Sequence, residues 1–251
     1  MNDDLGHAVQ VERPARRVVS LVPSLTEAVA ATRPETLVGA TDWCTHPPDL
    51  DVARVRGTKN PDRAAIAHLH PDLVIANREE NRELDVDRLR RAGIPVWVTE
   101  IETVGQSFSS MRRLFVDGLG WDVPDWLDEA ERVWAEPARL APARVAVPIW
   151  RDPWMVVGSR TFTGDLLGRL GLVNAFGHHQ DRYPHVELDV IDADATDLVL
   201  LPDEPYVFTP VDGPEAFTHT PTALVPGRAL TWYGPSLVTA RSELEALLSA
   251  T

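Results

Sequence analysis

Thr103-Val104-Gly105-Gln106-Ser107-Phe108, followed by Met111, Leu114-Phe115 and Leu119, is the stretch on which the fold of this chain turns. Its apolar residues at 104, 108, 111, 115 and 119 keep the period of one helix face. Thr103 and Gln106 have the spacing of a capping box, and Gly118 and Gly120 stand where such a helix should stop. About 17 residues at 1.5 Å each span roughly 25 Å. A helix of that length is either a semi-rigid strut between two lobes, where a Gly/Ser linker would be floppy, or one more amphipathic helix on a sheet. The periodicity fits both.

Blocks of short β and α segments flank it. Upstream, Val18–Val22, Leu37–Thr41, Asp72–Ala76 and Ile94–Val98 read as strands. Ser24 with Glu27 gives a capping-box start for a helix to about Ala31, and Glu83–Ala92 reads as an amphipathic helix ending at Gly93. Downstream come a helix at Pro124–Glu136, a strand block at Arg144–Trp150, a helix at Phe162–Leu170, strands at Asp197–Leu201 and Ala229–Tyr233, and a terminal helix from Ser236 to Leu248. Strands alternating with helices indicate α/β construction with mostly parallel sheets. The expected organisation is an N-terminal α/β lobe at 1–102, a connecting helix at 103–120 and a C-terminal α/β lobe at 121–251. Asp72-Leu73-Val74-Ile75-Ala76 and Asp197-Leu198-Val199-Leu200-Leu201, each an Asp-led strand running into an acidic loop, echo one another across the two lobes.

Composition narrows the function. The 251 residues are 44% hydrophobic and 25% charged, ordinary for a globular protein. A net charge of −14 argues against nucleic acid and against an anionic membrane surface as partners. No apolar run approaches the length of a membrane span. The single cysteine, Cys44, excludes an internal disulfide. The acidic start Met1-Asn2-Asp3-Asp4 has no apolar leader, so a cytoplasmic protein is expected, the alternative being an extracytoplasmic one whose signal is missing from this sequence.

Ligands of open parallel sheets bind beyond the carboxyl ends of the strands. Those ends supply Pro23-Ser24, Asp42-Trp43, Thr58-Lys59-Asn60 and Asn77-Arg78 upstream, and Trp150-Arg151, Trp154, Tyr183, Tyr206 and Trp232-Tyr233 downstream, with Arg182 beside Tyr183. All three tyrosines and four of the eight tryptophans are in this set, which suggests a wide, flat, partly polar ligand gripped by ring faces. The competing reading is that these rings cover lobe edges. Enzyme signatures are missing: there is no strand-borne Gly-x-Gly-x-x-Gly, no phosphate-binding loop and no Gly-x-Ser-x-Gly. Ser24 has no assignable base and reads as a helix cap. His178-His179 and His185 lack metal-ligand spacing and read as a solvated loop, as does the acidic run Glu79-Glu80.

Val19-Ser20-Leu21-Val22-Pro23-Ser24-Leu25-Thr26-Glu27 and Gly57-Thr58-Lys59-Asn60-Pro61 resemble the first lobe of cobalamin-binding substrate-binding proteins of ABC importers. Ile149-Trp150-Arg151-Asp152-Pro153-Trp154-Met155, Arg182-Tyr183-Pro184 and Trp232-Tyr233-Gly234-Pro235 resemble the second. The wider family, the helical-backbone metal receptors, binds cobalamin, haem and ferric siderophores. The resemblance covers about residues 16–248 and implies two Rossmann-like lobes joined by one long backbone helix, with ligand between them. It favours the strut. It also implies permease-docking glutamates at Glu83 (or Glu79) and Glu204. The chain departs from extracytoplasmic members in lacking a signal peptide and a lipidated cysteine.

The resulting expectation is a non-catalytic binding protein for a corrinoid or related metal chelate, with no cofactor and no protein ligand to metal. Aromatic contacts would come from Trp43, Trp150, Trp154, Tyr183, Tyr206, Trp232 and Tyr233, and polar ones from Ser24, Lys59, Arg151 and Arg182. The chain is expected to be a monomer without membrane insertion, with an ABC permease as partner if exported. Two rivals stand beside it. One is a corrinoid- or tetrapyrrole-handling enzyme using Asp42, His46 or Glu204 as acid/base. The other is a direct metal-ion binder using His46 with His178 or His179.

Overall fold

The computed structural model describes residues 1–137 and 139–249; Ala138 and the last two residues of the expected C-terminal lobe lie outside the described residues. The chain forms two compact units. The first comprises 1–101, 105–129 and 233–235, the second 102–104, 130–232 and 236–251.

In the first unit β1 (Val18–Ser20), α1 (Pro23–Ala30), β2 (Leu37–Ala40), β3 (Ala53–Arg54), α2 (Arg63–His68), β4 (Leu73–Asn77), α3 (Glu83–Arg91) and β5 (Val96–Thr99) follow in order. The sheet runs β3-β2-β1-β4-β5 and every pair is parallel. That is the doubly wound arrangement, with strand order reversing between β1 and β4. Strands β1, β4 and β5 are buried along their whole length, as parallel strands covered on both faces must be. Val19, Val74, Val96 and Val98 pack against Ile66, Val86 and Leu89 from the helices. In α3, Glu83 and Asp85 occupy the first turn and Arg88, Arg90 and Arg91 the last, matching the helix dipole.

The expected Ser24 cap is corrected. Val22 is the N-cap of α1, Pro23 opens the helix with its fixed φ, and Ser24 lies inside the first turn. No side chain caps the start; Thr26 Oγ1 instead donates back to the Val22 carbonyl at 2.9 Å.

Two helical segments lie between β5 and the next sheet. α4 (Val104–Arg113) runs directly into a π-helical turn at Leu114–Leu119. The apolar stripe read from sequence, Val104, Phe108, Met111, Phe115 and Leu119, is buried throughout. The Val104 amide is held by Asp165 Oδ2 at 2.9 Å. Gly120 ends the helix in the left-handed region at φ 69°. Gly118 sits inside the helix instead, where a Cβ would stand 3.1 Å from the Trp97 ring. α5 (Asp125–Ala135) completes the connection.

In the second unit β6 (Arg144–Ala146), β9 (Val173–Asn174), β10 (Leu198–Pro202) and β11 (Thr222–Val225) form a parallel sheet in the order β11-β10-β6-β9. A hairpin of β7 (Pro148–Trp150) and β8 (Met155–Val156) follows β6. Helices α6 (Phe162–Arg169), α7 (Leu188–Ile191), α8 (Gly227–Thr231) and α9 (Leu237–Leu248) surround these strands in sequence. The expected strand at Ala229–Tyr233 is corrected: Gly227–Thr231 is helical, and the strand is Thr222–Val225. A five-residue apolar run fits either period, and Pro226-Gly227 before it marks a helix start.

The two Asp-led strands prove to share a mechanical role. Asp72 Oδ2 accepts from the amides of Arg16 and Arg17 at 2.7 and 2.9 Å, just before β1. Asp197 Oδ2 accepts from the amide of Arg144, at the start of β6, at 2.7 Å. In both units the arginine then returns its Nε to a carbonyl of the turn before the aspartate: Arg17 to Leu69, Arg144 to Ala195.

Candidate ligand-binding site

In the first unit the strand order reverses between β1 and β4, and the loops beyond their carboxyl ends are tied by one side chain. Asn81 is buried; its Nδ2 donates to the carbonyls of Leu21 at 3.2 Å and Thr58 at 3.0 Å. Its Oδ1 accepts from the Asn77 amide at 2.9 Å. Three loops are thereby fixed against one another. Asn77 Oδ1 in turn accepts from the amides of Glu79 and Glu80 at 2.8 and 3.3 Å, closing the acidic loop into a turn. Asn81 is not among the residues expected from the sequence. The only local signal is an Asn four residues after another Asn at a strand end, which also fits an ordinary loop.

The sequence-nominated residues of this unit sit around that knot. Lys59 Nζ donates to the Glu79 carbonyl. Burial raises the Glu80 carboxyl above its ordinary range, and the Lys59 ammonium opposes the shift. Ser24 is buried in the first turn of α1. A Cβ on Gly234 would stand 3.1 Å from the Ser24 carbonyl oxygen, so Tyr233-Gly234-Pro235 reaches this unit by backbone approach. Trp43 is 67% exposed, its Nε1 beside Gly57. Asp42 is exposed and His46 half-buried.

In the second unit the order reverses between β6 and β10. The chain leaving β6 enters the hairpin with Trp150 and Arg151, and the chain leaving β10 supplies Tyr206. Trp150, 47% exposed, stands edge-on to Tyr206 with ring centroids 5.5 Å apart. Tyr206 packs on Phe208 at 4.7 Å, and its hydroxyl donates to Asp212 Oδ2 at 2.8 Å. That hydrogen bond pushes the phenol pKa upward. Trp154 is buried, stacked on Phe208 at 6.0 Å, edge-on to Phe217 at 5.4 Å, with the Arg151 guanidinium 5.3 Å from its ring centroid. Its ring backs Phe208, on which Tyr206, the partner of Trp150, packs.

Arg151 is surrounded by carboxylates. Nη1 bonds Asp212 and, at 2.7 Å, Glu215; Nε lies 3.5 Å from Asp152. The hydrogen bond that Arg151 donates to Glu215 raises the guanidinium pKa further, and the same contact lowers that of Glu215. Arg182 bonds Glu102, while its carbonyl accepts from the Gly158 amide at 2.7 Å. A Cβ on Gly158 would stand 2.3 Å from the Asp181 carbonyl oxygen, so only glycine lets the Arg182-Tyr183-Pro184 segment lie there. Tyr183 is half-buried and Trp232 buried at the end of α8. Glu204, half-buried after β10, lies against Gly227; Glu83 is exposed at the start of α3.

His178 is exposed, and His179 Nδ1 accepts from the Asp181 amide at 3.0 Å. Among the described residues no group of three or more His, Cys, Asp or Glu side chains is placed to hold a metal ion. No helix among them is long and apolar enough to cross a membrane.

No family profile matches the chain. The fold is that of ligand-binding proteins described as periplasmic. The solved vitamin B12-binding protein BtuF of Vibrio cholerae superposes with a TM-score of 0.75 at 18% identity, over 94% of this chain and 98% of that one. The apo haem-binding protein RhuT of Roseiflexus gives 0.80 at 20% identity, over 94% and 98%. In sequence the chain is similar to vitamin B12-binding proteins. It is 24% identical to that of Pectobacterium atrosepticum over 188 residues, 70% of this chain and 67% of the relative. It is 27% identical to that of Salmonella typhimurium over 187 residues, 70% and 68%. The resemblance to cobalamin-binding substrate-binding proteins read from the motifs is thus borne out, as is the α/β fold with mostly parallel sheets. These proteins are named for binding. The expected cytoplasmic location is overturned: the solved structures of this fold are described as periplasmic, which points outside the cytoplasm. An apolar leader contributes nothing to the folded units, so the acidic start of this sequence carried no information on location.

Proposed function

We propose that this chain is a non-catalytic binding protein for a corrinoid or related metal chelate and serves as the substrate-binding component of an ABC importer. The observation that carries the reading is the exposed Trp150 ring, held edge-on to Tyr206 where strand order reverses in the second sheet. A ring offered to solvent at that position, on a rigid aromatic base, suits a flat apolar ligand. Trp43 offers a second exposed ring in the first unit, with Ser24, Lys59 and Tyr233 nearby in the same unit. Tyr183, Arg182 and Trp232 complete the second unit's set, and Trp154 and Arg151 hold Trp150 and Tyr206 in place.

The metal stays in its macrocycle and needs no protein ligand or further cofactor. Glu83 and Glu204 are the residues by which a monomeric receptor meets its permease. The experiment is a titration of the full chain with cyanocobalamin and with haemin, read by tryptophan emission and by calorimetry. Saturable quenching with heat is expected for at least one. Neither signal with either chelate would overturn the reading.

A further inference from the structure

The cations nominated for contact with ligand are already committed. Arg182 bonds Glu102, and Lys59 bonds the Glu79 carbonyl beside Glu80. Arg151 is decisive. Its side chain is only 18% exposed, and three carboxylates face it: Asp212, Glu215 and Asp152. One guanidinium neutralises one of them, so the group keeps a negative surplus. The carboxylates are the exposed members, Asp152 at 84%, Glu215 at 49% and Asp212 at 41%. Trp150 immediately precedes Arg151 in the chain, and Tyr206 shares Asp212. A ligand lying on the Trp150 ring therefore meets negative charge at its rim, and the positive charge that might have drawn an anion is turned inward over Trp154.

We propose that the site selects metal chelates whose periphery is neutral or cationic, and rejects those carrying peripheral carboxylates. The proposal rests on the binding reading above. Like charges brought within a Debye length of about 10 Å at 0.1 M salt repel, and salt relieves the repulsion. Amide-bearing chelates instead find acceptors for their N–H groups in Asp152, Glu215 and Asp212.

The test compares cyanocobalamin with its tricarboxylic acid, in which three side-chain amides are hydrolysed and the rest of the molecule is unchanged. Calorimetry on the full chain at low salt is expected to show the acid at least tenfold weaker, with the gap narrowing at high salt. Asp152→Asn should also narrow the gap at low salt. Asp152 has φ 59°, and asparagine accepts that conformation as readily as aspartate. Equal or tighter binding of the acid, or a ratio insensitive to both salt and Asp152→Asn, would overturn the proposal while leaving the binding reading intact. Binding of haemin, a dicarboxylate, in preference to cyanocobalamin would do the same. Binding of none of the three would overturn both.

Discussion

Replacing Trp150 and Trp154 one at a time separates contact from support. Trp150 is 47% exposed and Trp154 is 9% exposed. A full aromatic side chain buries about 150–250 Å², so a ligand covering the open half of Trp150 removes roughly 70–120 Å² from water. At about 25 cal/mol per Å² this stabilises the complex by about 2–3 kcal/mol at most, a factor of about 30–150 in affinity. Trp150→Ala should therefore weaken cyanocobalamin binding by up to that factor and leave the urea midpoint nearly unchanged. Trp154→Ala removes a ring packed between Phe208, Phe217 and Arg151, and should cost about 3–5 kcal/mol of stability through the cavity left behind. Calorimetric titration gives the first quantity and urea unfolding followed by circular dichroism the second. Should Trp150→Ala bind within threefold of the parent, or Trp154→Ala unfold at an unchanged midpoint, the assignment of contact to one ring and support to the other fails.

Asn81→Ala leaves the Asn77 amide and two buried carbonyls without their partner and should cost about 2–4 kcal/mol, measured by urea unfolding; a loss below about 0.5 kcal/mol would show that the three loops hold without it. Gly158→Ala drives a Cβ onto the Asp181 carbonyl and should cost about 1–3 kcal/mol while displacing Arg182 and Tyr183, visible as weakened ligand binding together with a lower midpoint. For Asp192, burial alone would raise the carboxyl, but the amides of Thr218, Thr220 and His219 and the His219 ring outweigh it and hold its pKa well below the usual range. The stability it contributes is therefore complete above its unfolded pKa of about 3.9 and is lost as pH falls towards the folded value. Thermal melts from pH 6 down to pH 2 should show Asp192→Asn with a shallower acid decline than the parent; equal slopes would remove Asp192 from the acid-sensitive set.

Sequence patterns that close within a few residues were read well. The buried stripe from Val104 to Leu119 repeats on a helix period, and that period is a local property of the chain. Gly120 as a stop and Asp-led strands before acidic loops are local too. Ser24-x-x-Glu27 fits the capping-box rule, yet Pro23 is the first helical residue and Val22 the N-cap, two residues earlier. Ala229–Tyr233 is apolar enough for a strand or a short buried helix, and only packing separates them. The site was legible as a list of loops, since carboxyl ends follow from parallel strands. Which of the residues on those loops faces solvent was not legible. Arg151 and Trp154 lie one and four residues after Trp150, but Phe208, Asp212, Phe217 and Glu215 arrive from more than fifty residues away and settle what each can do.

The two ends of each sheet divide the work. At the amino ends, Asp72 and Asp197 each bind the amide that begins the neighbouring strand, and an arginine closes the same loop from the other side. These anchors join β1 to β4 and β6 to β10, the pairs between which strand order reverses. At the opposite ends of those same pairs lie the Leu21 and Asn77 loops held by Asn81, and the Trp150 and Tyr206 loops held by the aromatic base. Register fixed at one end by a charged hydrogen bond also fixes which residues of each strand stand opposite at the other end, where the loops begin. The acidic residues that echo in the sequence therefore act at the ends of the strands away from the loops proposed to meet ligand, and the proposed contacts fall to the aromatic and polar side chains carried on those loops.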